Sequence, residues 1–110
     1  MKKIIQLELE KNIIIMVIIF EGEYICNFRW EGKYTRFNKN NKLIFEGEYL
    51  KGHLNGKAKE YNNKGELIFE GEYLNGEKWN GKYIEYFHNQ LCFKGNILNG
   101  KKKWKRKGIL

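Results

Sequence analysis

Three pairs of carboxylates recur along the chain: Glu21 and Glu23, Glu46 and Glu48, and Glu70 and Glu72. In extended backbone, residues two apart point to the same side, so each pair would present two carboxyls on one face of a strand. Two carboxyls about 5 to 10 Å apart are what glycoside hydrolysis needs, provided that a cleft drives their pKa values apart. Three equivalent pairs on a regular surface supply no such difference. They read as a solvated charged face, with Lys33, Lys57 and Lys82 as candidate partners across the strands.

Other chemistries find fewer parts. Cys26 and Cys92 are 66 residues apart, which on a regular sheet means about five strand spacings, or roughly 25 Å, whereas a disulfide needs Cα atoms within about 7 Å. Both are expected to be free thiols, as suits a reducing cytosol, with Cys92 a small apolar packing residue in the column of Ile44 and Ile68. His53 and His88 lie near opposite turns and, with two lone cysteines, offer no zinc-like spacing. The chain has no Ser and no Asp, and Thr35 is its single aliphatic hydroxyl, so no catalytic triad can be assembled. No glycine cluster follows a strand and opens a helix in the manner of a phosphate loop. The expectation is a protein that is not an enzyme, with no cofactor, no metal and no small-molecule substrate.

The elements that carry these residues repeat. LIFEGEYL occurs unchanged at 43–50 and 67–74, and IIFEGEYI stands at 18–25. Setting each Phe-x-Gly in register gives units starting at Phe20, Phe45, Phe69 and Phe93, spaced by 25, 24 and 24 residues. Gly22, Gly47, Gly71 and Gly95 share one column, Gly32, Gly56 and Gly81 a second, and Gly52, Gly76 and Gly100 a third. Within a unit, Leu67, Phe69, Gly71 and Tyr73 alternate with Ile68, Glu70, Glu72 and Leu74, the period of a strand. Lys57 to Tyr61 and Lys82 to Phe87 supply partner strands. Asn-Gly at 55, 75, 80 and 99 and the run Asn62-Asn63-Lys64-Gly65 supply turns. Each unit is one β-hairpin. Consecutive hairpins pairing edge to edge predict an all-β, single-layer, elongated antiparallel meander of repeats of about 24 residues. A glycine at a strand centre normally weakens it, unless a neighbouring ring covers the bare backbone; Tyr34, Tyr61, Tyr83 and Tyr86 are the candidate rings.

The order Gly-Glu-Tyr, Asn-Gly, then Asn-Gly-Lys and an aromatic, as in EGEYLKGHLNGKAKEY and EGEYLNGEKWNGKYIEY, resembles the MORN repeat. The resemblance covers Phe20 to about Leu98 and is specific in the two central units. The first unit departs by Cys26-Asn27 in place of a Gly turn. The last has Ile97 for the Tyr and Trp104 out of column. The resemblance implies an elongated sheet of hairpins used as a scaffold or binding module, linked in several relatives to phosphoinositide-rich membranes. It also implies kinship with small bacterial proteins similar to antitoxins or immunity proteins.

Residues before Phe20 break the repeat. Ile5, Leu7 and Leu9 alternate with Gln6, Glu8 and Glu10, and Ile13 to Phe20 is apolar on both faces. The chain thus divides into an N-terminal capping hairpin over 1–19, the repeat array over 20–98 and a basic C-terminal strand or tail over 99–110. The apolar start either caps the array or pairs with a second copy of the chain as a homodimer. Its longest apolar run has eight residues, too short for a membrane-spanning helix of about 20. A soluble, cytoplasmic protein is expected.

Charge is uneven. The first fifty residues carry eight basic groups against seven acidic, the last sixty thirteen against six, and residues 101–110 alone hold +6. Trp30 and Trp79 share a column with Leu54, where they either pack over the adjoining hairpin or present a contact surface. Candidate partner-binding residues are Trp30, Tyr49, Tyr73, Trp79 and Tyr83, with Lys101, Lys102, Lys103, Trp104, Lys105, Arg106 and Lys107 in the tail. The expected partner is an acidic protein, engaged by a non-catalytic module acting as an inhibitor, immunity protein or antitoxin. The alternative is peripheral binding of anionic phospholipid or RNA through the tail.

Overall fold

The computed structural model describes residues 2–88 and 90–106, with residues 91–93 and 104–106 described by their backbone. The strands are β1 (Lys2–Glu10), β2 (Ile13–Ile25), β3 (Phe28–Asn38), β4 (Leu43–Leu50), β5 (His53–Leu54), β6 (Gly56–Tyr61), β7 (Leu67–Leu74), β8 (Glu77–Phe87), β9 (Gln90–Leu98) and β10 (Lys101–Arg106). They form one open sheet in the order β1-β2-β3-β4-β6-β7-β8-β9-β10, with β5 paired to β4. All pairings are antiparallel. The sheet measures 48 × 34 × 18 Å. This is the all-β meander of hairpins that the repeat predicts. The expected boundary after residue 19 falls inside β2, which runs unbroken from the N-terminal hairpin into the first repeat.

Turn chemistry explains the register. Among the described residues, five two-residue connections, Lys11-Asn12, Cys26-Asn27, Lys51-Gly52, Asn75-Gly76 and Asn99-Gly100, hold both residues at positive φ. That is the hairpin turn whose twist matches the flanking strands. Cys26-Asn27 therefore makes the same turn as the Gly-containing pairs, although no glycine marks it. The longer connections are closed by asparagine: the Asn38 side-chain oxygen accepts from the backbone N–H of Asn40 and Lys42, and that of Asn62 from Lys64 and Glu66. Asn38 is buried.

The core is one face of the sheet. Phe20, Phe45 and Phe69, the first residues of three repeats, are each 1% exposed or less. Their rings join those of the tyrosines into a continuous chain, Tyr24, Phe20, Tyr49, Tyr34, Phe45, Tyr73, Phe69, edge-to-face except for the tilted Tyr49–Tyr34 link, with centroids 5.2 to 5.9 Å apart. Tyr49 and Tyr73 each lie against the Phe of the preceding repeat, so each unit closes its neighbour's core.

The strand-centre glycines have three different reasons. Tyr83 lies over Gly95, as a covering ring should, so that a methyl group there would come within 2.6 Å of it. At Gly22 and Gly71 the cause is instead a facing glycine: Gly22 pairs with Gly32, and Gly71 with Gly81. An added Cβ would sit 2.6 and 2.5 Å from the partner's Cα. Gly47 meets the Phe45 ring and Ala58. The ring-cover expectation is corrected for the other tyrosines: Tyr61 and Tyr86 stand opposite Leu67 and Leu91, and Tyr34, although opposite Gly47, is not the nearest ring to it. Gly56 faces Tyr73 of the next unit as Gly32 faces Tyr49 and Gly81 faces Ile97, but it is not paired with Gly47, because β6 sits two places further along β4 than β5 does.

Candidate interaction surfaces

The ring face is crossed by cations. The Arg29 guanidinium lies 5.0 Å above Tyr34, that of Arg36 4.8 Å above Phe45, Lys78 Nζ 5.1 Å above Phe69 and Lys102 Nζ 5.0 Å above Tyr83. Each cation covers a ring that a one-layer sheet leaves partly wet, and the ring's negative face attracts it. Tyr73 donates from its hydroxyl to Glu60 at 2.7 Å, and the same carboxylate takes Lys78 at 3.1 Å. Burial first, and the Glu60 contact second, push the Tyr73 pKa well above the ordinary tyrosine value. Burial also raises that of Tyr34, against the opposing pull of Arg36 and Arg29.

The opposite face is polar along the repeats. Lys33 stands between Glu21 and Glu48, Lys57 faces Glu72, and Lys82 faces Glu70. The three lysines expected as cross-strand partners occupy those positions. A fourth, Lys59, stands between Glu46 and Glu70, with its Nζ 3.7 Å from Glu70. Sequence reasoning missed it because its column holds different residue types in the other units. A shallow groove of about 490 Å³ runs along this ladder, lined by Glu46, Glu48, Glu70 and Glu72 together with Gly47 and Gly71. The carboxylates of the second and third units thus alternate with ammonium groups across strands, which neutralises charge, whereas in the first unit Glu21 faces Lys33 but Glu23 faces Glu31.

Along the turn edge, Trp30 and Trp79 are half-buried. Each is the extra residue of a β-bulge and lies over the turn glycine of the next unit, Gly52 and Gly100 respectively, at 3.6 and 3.5 Å from a Cβ there. Their carbonyls accept the N–H of those same glycines, and Leu54 does so for Gly76, all at 2.9 Å. The column of Trp30, Leu54 and Trp79 is therefore coupled to the third glycine column: its carbonyls hold the turn glycines of the next unit, and the two Trp rings also lie over them. Ile25, Leu50, Leu74 and Leu98 add an exposed aliphatic row at the same edge, 47, 42, 39 and 50% accessible.

The two ends of the sheet differ. Among the described residues β10 pairs only with β9, and Lys101, Lys102 and Lys103 on it are exposed. At the other end, again among the described residues, β1 pairs only with β2.

The predicted contact residues thus fall apart in space. Tyr49, Tyr73 and Tyr83 belong to the ring face, and Tyr83 is 5% exposed. Trp30 and Trp79 belong to the turn edge. The lysines belong to the terminal strand. Lys107 and the side chains of Trp104, Lys105 and Arg106 lie outside the described residues, as does that of Cys92. Cys26 is an exposed free thiol in the β2–β3 turn. Among the described residues no group of His, Cys and Glu could hold a metal ion, and no helix is long and apolar enough to cross a membrane.

No family model, no curated protein and no solved structure matches the chain.

Proposed function

We propose that the chain is a non-catalytic β-repeat module that binds an acidic protein through its C-terminal edge, as an inhibitor, immunity protein or antitoxin does. The observation that carries this reading is the terminal strand β10. It is the outermost strand of the sheet among the described residues, and it carries consecutive exposed lysines. A partner segment rich in carboxylates can add to such an edge by main-chain pairing while its side chains neutralise the cations. The same lysines oppose pairing of β10 with another β10. The MORN-like spacing of the repeats, with its implied scaffold role, supports the reading independently.

The test is capture of partners from host lysate at low salt by the full chain. The control is a variant with Lys101, Lys102, Lys103, Lys105, Arg106 and Lys107 all changed to Gln, which keeps the strand and removes its charge. A stoichiometric acidic protein held by the first and lost by the second is expected. Equal recovery by both, or no stoichiometric protein, overturns the proposal. Vesicles of anionic phospholipid and a single-stranded RNA serve as competing ligands; tight binding to either at physiological salt, abolished in the Gln variant, moves the assignment to the lipid or RNA reading.

A further inference from the structure

The other edge of the sheet has the opposite design. β1 is nine residues long and regular, since the extra residue at the register shift near Glu8 and Leu9 is Ile15 on β2. Ile5, Leu7 and Leu9 are 59, 48 and 56% exposed. Opposite them on the same side stand Ile19, Val17 and Ile14. Together they interrupt the polar face with an apolar patch that reaches the free edge. A long edge strand with such a patch is a template for another strand.

We propose that a second copy of the chain covers this edge, β1 pairing antiparallel with the partner's β1 about a twofold axis. The charges of the strand itself choose the occupant. Lys2 and Lys3 stand at one end and Glu8 and Glu10 at the other, so antiparallel self-pairing sets basic end against acidic end at both ends of the seam. A twofold perpendicular to the sheet keeps each face on its own side, and opposed residues must then share a face. The axis therefore passes midway between two copies of one residue, and only Gln6 as that residue pairs the whole strand. Lys2 then faces Glu10 of the second copy, Ile5 faces Leu7, Lys3 faces Leu9 and Ile4 faces Glu8, so that the ion pair at each end is Lys2 with Glu10 and the apolar patches meet beside the axis through Ile5 and Leu7. Directly opposed aliphatic side chains shield one another at such a seam. β10 fits this edge less well as a partner, because its consecutive lysines would meet Lys2 and Lys3 or leave the apolar row uncovered.

Sedimentation or light scattering on the full chain at micromolar concentration is expected to show a dimer. Lys2→Glu alone and Glu10→Lys alone each place like charges at both ends of the seam and should weaken the dimer about tenfold. Mixing the two variants should restore it, because the heterodimer has opposite charges at both ends. In a chain with Cys26→Ser and Cys92→Ser, Gln6→Cys should oxidise to a covalent dimer. A dimer indifferent to both charge changes overturns the edge pairing in favour of two sheets packed face to face. Assemblies growing beyond the dimer overturn it in favour of head-to-tail pairing. A monomer that gives no Gln6→Cys cross-link overturns it altogether.

Discussion

Tyr73 shows how a half-exposed side chain is held in a sheet without a second layer. Its ring fills the gap between Phe45 and Phe69, while its hydroxyl reaches Glu60. Tyr73→Phe removes one hydrogen bond to a carboxylate that keeps Lys78, so a loss of about 1 kcal/mol in denaturant unfolding is expected. The sign of the pH effect follows from the raised pKa. The neutral phenol is favoured in the fold, so its contribution is complete below the ordinary tyrosine pKa of about 10 and is lost as pH rises above it. Stability of the natural chain should fall in that alkaline range more steeply than that of the Tyr73→Phe variant. A second residue-scale outcome concerns the turn at Cys26-Asn27. Both residues sit at φ +51° and +66°, where Asn-Gly is preferred. Replacing the pair with Asn-Gly should stabilise the fold by about 1 kcal/mol, read as a higher unfolding midpoint at unchanged slope.

At the scale of the strand, close approach and charge alternation make separable claims. Gly71→Ala drives a methyl group against the backbone of Gly81, and no rotamer relieves it, so a cost at the upper end of the roughly 1 to 3 kcal/mol for overpacking is expected. Gly47→Ala meets only the Phe45 ring edge at 3.0 Å and the Ala58 methyl at 3.3 Å. Its cost should be clearly smaller in the same denaturation series. An equal cost at both sites would mean that the facing-glycine pair is not what constrains the first. On the polar face, Lys59→Glu creates a row of carboxylates at 46, 59 and 70 in place of an alternating one. Lys59 and Glu70 are about half exposed, which keeps the effect near 1 kcal/mol at low salt. High salt should reduce it toward zero.

Over the whole molecule, stability runs from neighbour to neighbour. The second and third repeats each lend a tyrosine to the previous Phe, and the turn glycines of the second, third and fourth each donate their N–H to a carbonyl of the preceding unit. Deleting residues 45–68 joins two equivalent positions and lets Tyr73 take the place of Tyr49 against Phe20. The shortened chain should still unfold cooperatively, with a denaturant slope lower by roughly a fifth, in proportion to the surface it no longer buries. Failure to fold would show that the junction between the first and second repeats, where Tyr34 stands opposite Gly47, does not accept Gly71 in that place.

Strand period, hairpin turns and the 24-residue spacing were all readable from residue types, because each depends on local backbone preference and on alternation within one short segment. The charged nature of the Glu-Gly-Glu face was readable for the same reason, although the cross-strand partners differ between copies: Glu48 faces Lys33, Glu72 faces Lys57, and Glu23 faces Glu31. What the tertiary structure decided is everything set by register between strands. It decided that Gly22 and Gly71 face other glycines while Gly95 lies under a ring, that Trp30 and Trp79 seat on the following turns, and that Lys59 joins the charge ladder. A shift of one residue moves every side chain to the other face, and such shifts occur here at bulges that no single residue type announces. The two free edges depend on register in the same way. Composition alone put lysines at one end and aliphatic residues at the other, but only an open sheet with β1 and β10 outermost turns them into two unlike surfaces.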